Sequence, residues 1–210
     1  MAKLSAGING PFRGKVGTVV GSSWKGQPYM KGPNKERTSK VTKKEKDNQN
    51  KFARTHHWLK PLLVFLRQGF KDYDYPIEGM NAAMSWNLLN AFEPNGQTTQ
   101  INPAIVQVSY GDLPLSENMT VEKTAPDELL FTWGSDPVDG GSPYDQVMLL
   151  AYDIKNAAAS FNITGQFRST GMDVLKIPAT KGRTYHVYMS FTAADRSRQS
   201  HSVYMGTINS

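Results

Sequence analysis

The residues able to do chemistry are few, and their spacing works against them. Gly10-Pro-Phe-Arg-Gly14-Lys15-Val16 approaches a phosphate-binding loop. It falls one spacer residue short, and Val16 puts a methyl group where a magnesium-ligating hydroxyl is needed. Ser22 and Ser23 lack the G-x-S-x-G context of a nucleophile elbow, and no histidine is near them in sequence. His56 and His57 are adjacent. On a helix they point about 100° apart and cannot form an i, i+4 metal pair, so they read as a surface and a boundary residue. His186 lies opposite Tyr185 and Val187 on its strand and is expected to be exposed. Asp136, Asp139 and Asp145 surround Gly140-Gly141, but not at the spacing of an EF-hand, and read as a polar loop. Asn118-Met-Thr120 and Asn162-Ile-Thr164 are glycosylation sequons by pattern alone. The absence of cysteine removes thiolate metal sites, thiol nucleophiles and disulfides together. The expectation is a non-enzymatic protein with no catalytic residue, metal or cofactor.

Charge is the more informative property. Residues 1–72 carry 16 Lys/Arg against 4 Asp/Glu, whereas residues 73–210 carry 8 against 14. The two regions are therefore expected to do different work, an interaction segment in front and a folded module behind. Lys35, Arg37, Lys40, Lys43, Lys44, Lys46, Lys51 and Arg54 could neutralise nucleic-acid phosphates, with Trp24, Tyr29 and Trp58 stacking on bases. Glu36, Glu45 and Asp47 interrupt the run. Three readings stay open: a solvated helix start, an arm meeting the acidic module of a neighbouring copy, and nucleic acid.

The elements that must position these residues follow from periodicity. Residues 1–41 form a glycine-rich basic arm. Gly7, Gly10, Gly14, Gly17 and Gly21 would make a helical stripe, but Pro11, Val16, Val19 and Val20 favour strands. An irregular hairpin is expected, with Lys15–Trp24 as one strand and Gln27–Met30 as the other. Residues 42–100 form a helical pair. Thr42 and Glu45 have capping-box spacing. Phe52, Leu59, Leu63, Leu66 and Phe70 form the apolar face, which Pro61 kinks. Ile77, Met80, Met84, Leu88 and Ala91 repeat the pattern up to Pro94-Asn-Gly96. Residues 101–210 switch to period two. Strands are expected at 104–110, 120–123, 129–133, 146–153, 159–164, 173–177, 184–192 and 202–208. The fold class is α+β: arm, short helical pair and C-terminal antiparallel β-sandwich.

The segments Glu128-Leu-Leu-Phe-Thr-Trp133, Pro137-Val-Asp-Gly-Gly-Ser142 and Val147-Met-Leu-Leu-Ala-Tyr-Asp153, with Leu175-Lys-Ile-Pro178 and Tyr185-His-Val-Tyr-Met189, resemble a fibronectin type III domain. That resemblance covers roughly residues 118–208. It implies that Trp133 is the core tryptophan and Tyr185 the tyrosine at the corner between the fifth and sixth strands. Gly14-Lys-Val-Gly-Thr-Val-Val-Gly-Ser-Ser-Trp-Lys-Gly26, Tyr29-Met30, Lys51-Phe52, Gly69-Phe70, Asn81-Ala-Ala-Met84 with Asn87, Val187-Tyr188 and Ser202-Val-Tyr204 carry a second resemblance. They resemble an uncharacterised family of roughly 200-residue proteins of Bacteroidota and their mobile elements, a family that implies no activity.

No apolar stretch approaches the ~20 residues that span a bilayer, and Met1-Ala-Lys-Leu-Ser leads into glycines instead of a signal h-region. Synthesis in the cytoplasm without a signal peptide is expected, with a virion or an extracellular filament as the final location. The functional expectation is a self-assembling structural subunit of a phage-like particle or extracellular filament, a homo-oligomer joined through its arm. Val16, Val19, Trp24, Tyr29 and Met30 are the expected contact residues, with Lys43 and Lys44 as electrostatic guides. A nucleic-acid-binding protein of a mobile element is the alternative. A carbohydrate- or surface-binding module using exposed aromatics such as Tyr144 is a third reading.

Overall fold

The segment from Val147 to Tyr152 is apolar at every position, and an apolar run without alternation must be buried on both faces. The computed structural model describes residues 3–4, 10–24, 26–36, 38–71, 79–92 and 100–210, and in it this run is buried throughout. The chain divides into two compact units, residues 1–43 and 44–210.

In the larger unit, seven strands form a sandwich of two antiparallel sheets. They are β5 (Thr120–Ala125), β6 (Glu128–Thr132), β7 (Gln146–Asp153), β8 (Ala158–Asn162), β9 (Met172–Lys176), β10 (Thr184–Thr192) and β11 (Val203–Asn209). One sheet has the order β5-β6-β9, the other β11-β10-β7-β8. Successive side chains alternate between faces. Leu129, Phe131, Trp133 and Leu175 from the first sheet therefore meet Val147, Leu149, Ala151, Val187, Met189 and Phe191 from the second in one core. The ladder holds this in register, pairing Val187 with Ala151 and Met189 with Leu149.

The intervening residues Met148, Leu150, Tyr152 and Tyr188 point the other way, into a second core built with helices. Helix α1 (Lys43–Leu59) begins one residue after Thr42, and Pro61 turns it through a 3-10 segment (Lys60–Leu62) into α2 (Leu63–Gly69). Helix α3 (Gly79–Asn90) follows. Tyr152 donates its hydroxyl hydrogen to the carbonyl of Trp58 at 3.0 Å, and Tyr188 does so to Pro103 at 2.7 Å. Burial pushes the Tyr152 phenol up to about 12. The helical stripe differs from expectation at its start. Phe52 is 54% exposed, and the buried set is Trp58, Leu59, Leu62, Phe65, Leu66 and Phe70. Ile77 and Pro94-Asn-Gly96 lie outside the described residues.

Segment 104–110 is not a strand. Val106 and Val108 are buried as an alternating strand requires, but side chains take the place of a ladder partner. Asn87 receives the N–H of Gln107 at 3.0 Å and donates to its carbonyl at 2.9 Å. Ser202 Oγ receives the N–H of Val108 at 3.0 Å. The other seven expected strands are present.

One end of the sandwich closes on a buried cation. Arg168 is 2% exposed, and its guanidinium donates to Ser116 Oγ (2.8 Å), the Pro114 carbonyl (2.8 Å) and Asp145 Oδ2 (3.2 Å). It lies 4.2 Å over the Phe191 ring. Trp133 Nε1 donates to the Arg168 carbonyl at 2.7 Å, so the core tryptophan is tied to the same junction. Burial lowers the pKa of the guanidinium, and Asp145 opposes that shift. Removing one partner of such a pair leaves a buried, uncompensated charge. Asp145→Asn is therefore expected to lower stability by about 3–5 kcal/mol, read as a fall in the denaturation midpoint. A loss typical of a surface substitution would refute this role.

Candidate interaction surface

The arm folds as a small antiparallel sheet, not as the expected two-stranded hairpin. Its strands β1 (Lys3–Leu4), β2 (Phe12–Val16), β3 (Val19–Trp24) and β4 (Gln27–Lys31) run in the order β1-β2-β3-β4. The expected strand Lys15–Trp24 breaks because Gly17, at φ +57°, makes the turn between β2 and β3. Left-handed backbone of that kind suits glycine and ends strand pairing locally. Gly21 serves another purpose. A Cβ there would collide with the Phe12 carbonyl and stand 2.7 Å from a Phe12 ring carbon, so β2 crosses β3 closely only because the side chain is missing.

Register sorts the arm residues onto two faces. Val19 pairs with Val16, and Gly21 with Gly14 and Met30, so Val16, Val19 and Met30 share a face. Val20 pairs with Lys15 and Lys31, Ser22 with Tyr29, and Trp24 with Gln27, which puts Lys15, Lys31, Tyr29 and Trp24 on the other. The expected contact residues thus lie on one sheet but not on one surface. Val16 is 53%, Trp24 66%, Tyr29 45% and Met30 70% exposed; Val19 is half-buried. Gly21 is the single buried residue among those described in β2 to β4. β2, β3 and β4 bury no apolar side chain, so they lack what stabilises a sheet in water, namely an apolar face packed on something.

Lys43 and Lys44 are exposed in the first turn of α1. Cations at a helix N-terminus oppose the macrodipole, so their presence does not serve helix stability, and Glu45 offsets it. Two residues of the basic, aromatic set are committed elsewhere. Lys51 sits over the Phe92 ring at 5.2 Å, and Trp58 is a core residue 4.9 Å from Tyr152 in an edge-on contact.

The other chemistry-bearing residues are dispersed. Asp145 is bound to Arg168 and accepts the N–H of Ser142 at 2.8 Å, which leaves it unsuited to calcium. His186 is half-buried, correcting the expected exposure. Its Nδ1 lies 2.9 Å from the Tyr204 hydroxyl, and burial lowers its pKa. Tyr144 is 64% exposed and meets Phe167 edge-on at 6.0 Å. Among the described residues no cluster of metal-ligating side chains occurs, and no helix is long and apolar enough to cross a membrane.

Sequence reasoning missed a second exposed apolar strip. On the outer face of the β5-β6-β9 sheet, Leu130 pairs with Val174 and Thr132 with Met172. Met172 is 56% and Val174 42% exposed. The alternation within β9 could have shown it, once β9 was known to be covered on one side only.

A family model matches residues 11–206, from the end of the first arm segment to the last strand. The chain belongs to a family of unknown function, DUF6266. No curated protein and no solved structure matches it. The match takes in β2, β3 and β4 together with the helices and all but the end of the sandwich.

Gly21→Val is expected to open the arm sheet and leave the larger unit intact. At a protein concentration that protects the arm, limited proteolysis within residues 10–36 should accelerate about tenfold, matching ~1.4 kcal/mol of lost local stability. The denaturation midpoint of the remainder should not move. Unchanged cleavage would contradict the close β2–β3 crossing.

Proposed function

We propose that this chain is a non-enzymatic structural subunit that self-assembles through its N-terminal arm, as part of a phage-like particle or an extracellular filament. The observation that carries the reading is the arm sheet itself. It displays Val16, Trp24, Tyr29 and Met30 at 45–70% exposure, and burying such side chains in a neighbour is worth about 1.5–3 kcal/mol each for complete burial. Net charge agrees with this. Residues 1–43 hold 9 Lys/Arg and 1 Asp/Glu, and residues 44–210 hold 15 and 17. Opposite signs in one chain favour head-to-tail contact of unlike surfaces, which yields rings or open filaments.

The sandwich supplies the rigid body of such a subunit. Its strand orders support the fibronectin type III resemblance. So do the buried Trp133 and the Tyr185 hydroxyl, which donates to the Pro178 carbonyl seven residues upstream at 3.4 Å.

A second reading rests on the opposite face of the arm sheet, where Lys15 and Lys31 flank Val20 and adjoin Tyr29 and Trp24. Cations beside exposed aromatic rings suit single-stranded nucleic acid of a mobile element. Binding that weakens steeply with salt, and less steeply after Lys15 and Lys31 are neutralised, would favour it.

Sedimentation of the intact chain against a variant lacking residues 1–35 separates the two. Assembly by the intact chain and a monomeric variant are expected. An unchanged oligomeric state on deletion would sink the arm as the assembly element.

A further inference from the structure

We infer that the surface receiving the arm is the outer face of the β5-β6-β9 sheet on a second copy of this chain. The inference rests on the proposed self-assembly and specifies its other half. The two sheets of the sandwich are treated unequally. The outer face of β7 and β10 packs Met148, Leu150, Tyr152 and Tyr188 against the helices. The outer face of the other sheet displays three cross-strand rows. Thr120, Thr132 and Met172 form the first, Glu122, Leu130 and Val174 the second, and Glu128 with Lys176 the third. Its apolar centre is Leu130, Met172 and Val174, the last two 56% and 42% exposed.

The rim of that centre is polar and carries acid. Thr120 and Thr132 bond to each other through their hydroxyls at 2.6 Å. Glu128 meets Lys176 at 3.8 Å, and Glu122 is exposed beside Leu130. An apolar centre ringed by polar groups is the anatomy of a protein-binding patch.

The occupant is chosen by complementarity within the sequence. The arm sheet has an apolar, uncharged face made of Val16, Val19 and Met30 with Gly14 and Gly21 between them. Phe12, whose ring covers Gly21, adds to the apolar area of that face. Packing this face on Leu130, Met172 and Val174 covers two exposed apolar surfaces at once and sets the basic arm beside Glu122. Residues 32–36 and 38–42 have no regular structure. A tether over 32–42 spans about 35 Å when extended, long enough to reach a neighbouring molecule.

Two full-length variants test the pairing by complementation. The donor variant carries Val16→Asp with Met30→Asp, and the acceptor variant Met172→Asp with Val174→Asp. Each alone should require a concentration about tenfold or more above wild type to half-assemble. Mixed in equal amounts, they should form a 1:1 heterodimer that grows no further, because one intact arm and one intact face remain. Met172→Thr with Val174→Thr, which keeps strand propensity, repeats the acceptor arm of the test should the aspartates impair folding, as judged by the denaturation midpoint.

The failures are distinguishable. An acceptor variant assembling like wild type overturns this surface and leaves the arm reading standing. A donor variant assembling like wild type overturns the arm reading itself. Two monomeric variants that stay monomeric when mixed show that the surfaces do not meet each other, which also overturns the inference.

Discussion

A β-sheet has two faces, and an apolar face in water must be covered. That constraint organises this protein. β7 is apolar on both faces, and β10 beside it is buried on both, so each side must be covered: Val147, Leu149 and Val187 bring in the β5-β6-β9 sheet, and Met148, Leu150 and Tyr188 bring in the helices. Each covering layer is then fixed by polar groups that would be costly to bury unpaired. The Tyr152 and Tyr188 hydroxyls reach carbonyls of Trp58 and Pro103. Arg168 and Asp145 join the loops at one end.

The same constraint gives the arm its meaning. Where the body meets it by layering, the arm sheet leaves it unmet, with Val16 and Met30 more than half exposed. The outer face of β5-β6-β9 leaves it unmet as well. Two uncovered faces in one chain, one on a basic segment and one bordered by Glu122 and the Glu128–Lys176 pair, are what a head-to-tail subunit requires. The glycines serve that geometry. Gly17 turns the chain and Gly21 admits Phe12 across the strand, so the arm becomes a sheet with faces in place of a featureless tail.

Much of the body was legible in the residues because one force wrote it. Leu129, Phe131 and Trp133 recur at every second position, as one buried strand face requires, and β7 and β10 take the expected bounds 146–153 and 184–192. The kink at Pro61 followed from a missing N–H. What was illegible depended on partners distant in sequence. Segment 104–110 alternates like a strand, yet Asn87 meets the N–H and C=O of Gln107 and Ser202 meets the N–H of Val108. Phe52 fits the helical stripe, but it is more than half exposed. Arg168 reads as a surface cation until Ser116, Pro114 and Asp145 converge on it. Of the candidate site, the residue types Val16, Val19, Trp24, Tyr29 and Met30 were legible. Their division between two faces was not, because it depends on the turn at Gly17.

The most direct test of this account is hydrogen–deuterium exchange of the intact chain across a range of protein concentrations. The amides of 146–153 and 184–192 should be protected at every concentration. Those of β2, β3 and β4 should exchange fast when dilute and become protected as the concentration rises, along with β9. An arm equally protected in dilute monomer would mean that it needs no neighbour, and an arm unprotected at every concentration would mean that it finds none; either result contradicts assembly through the arm.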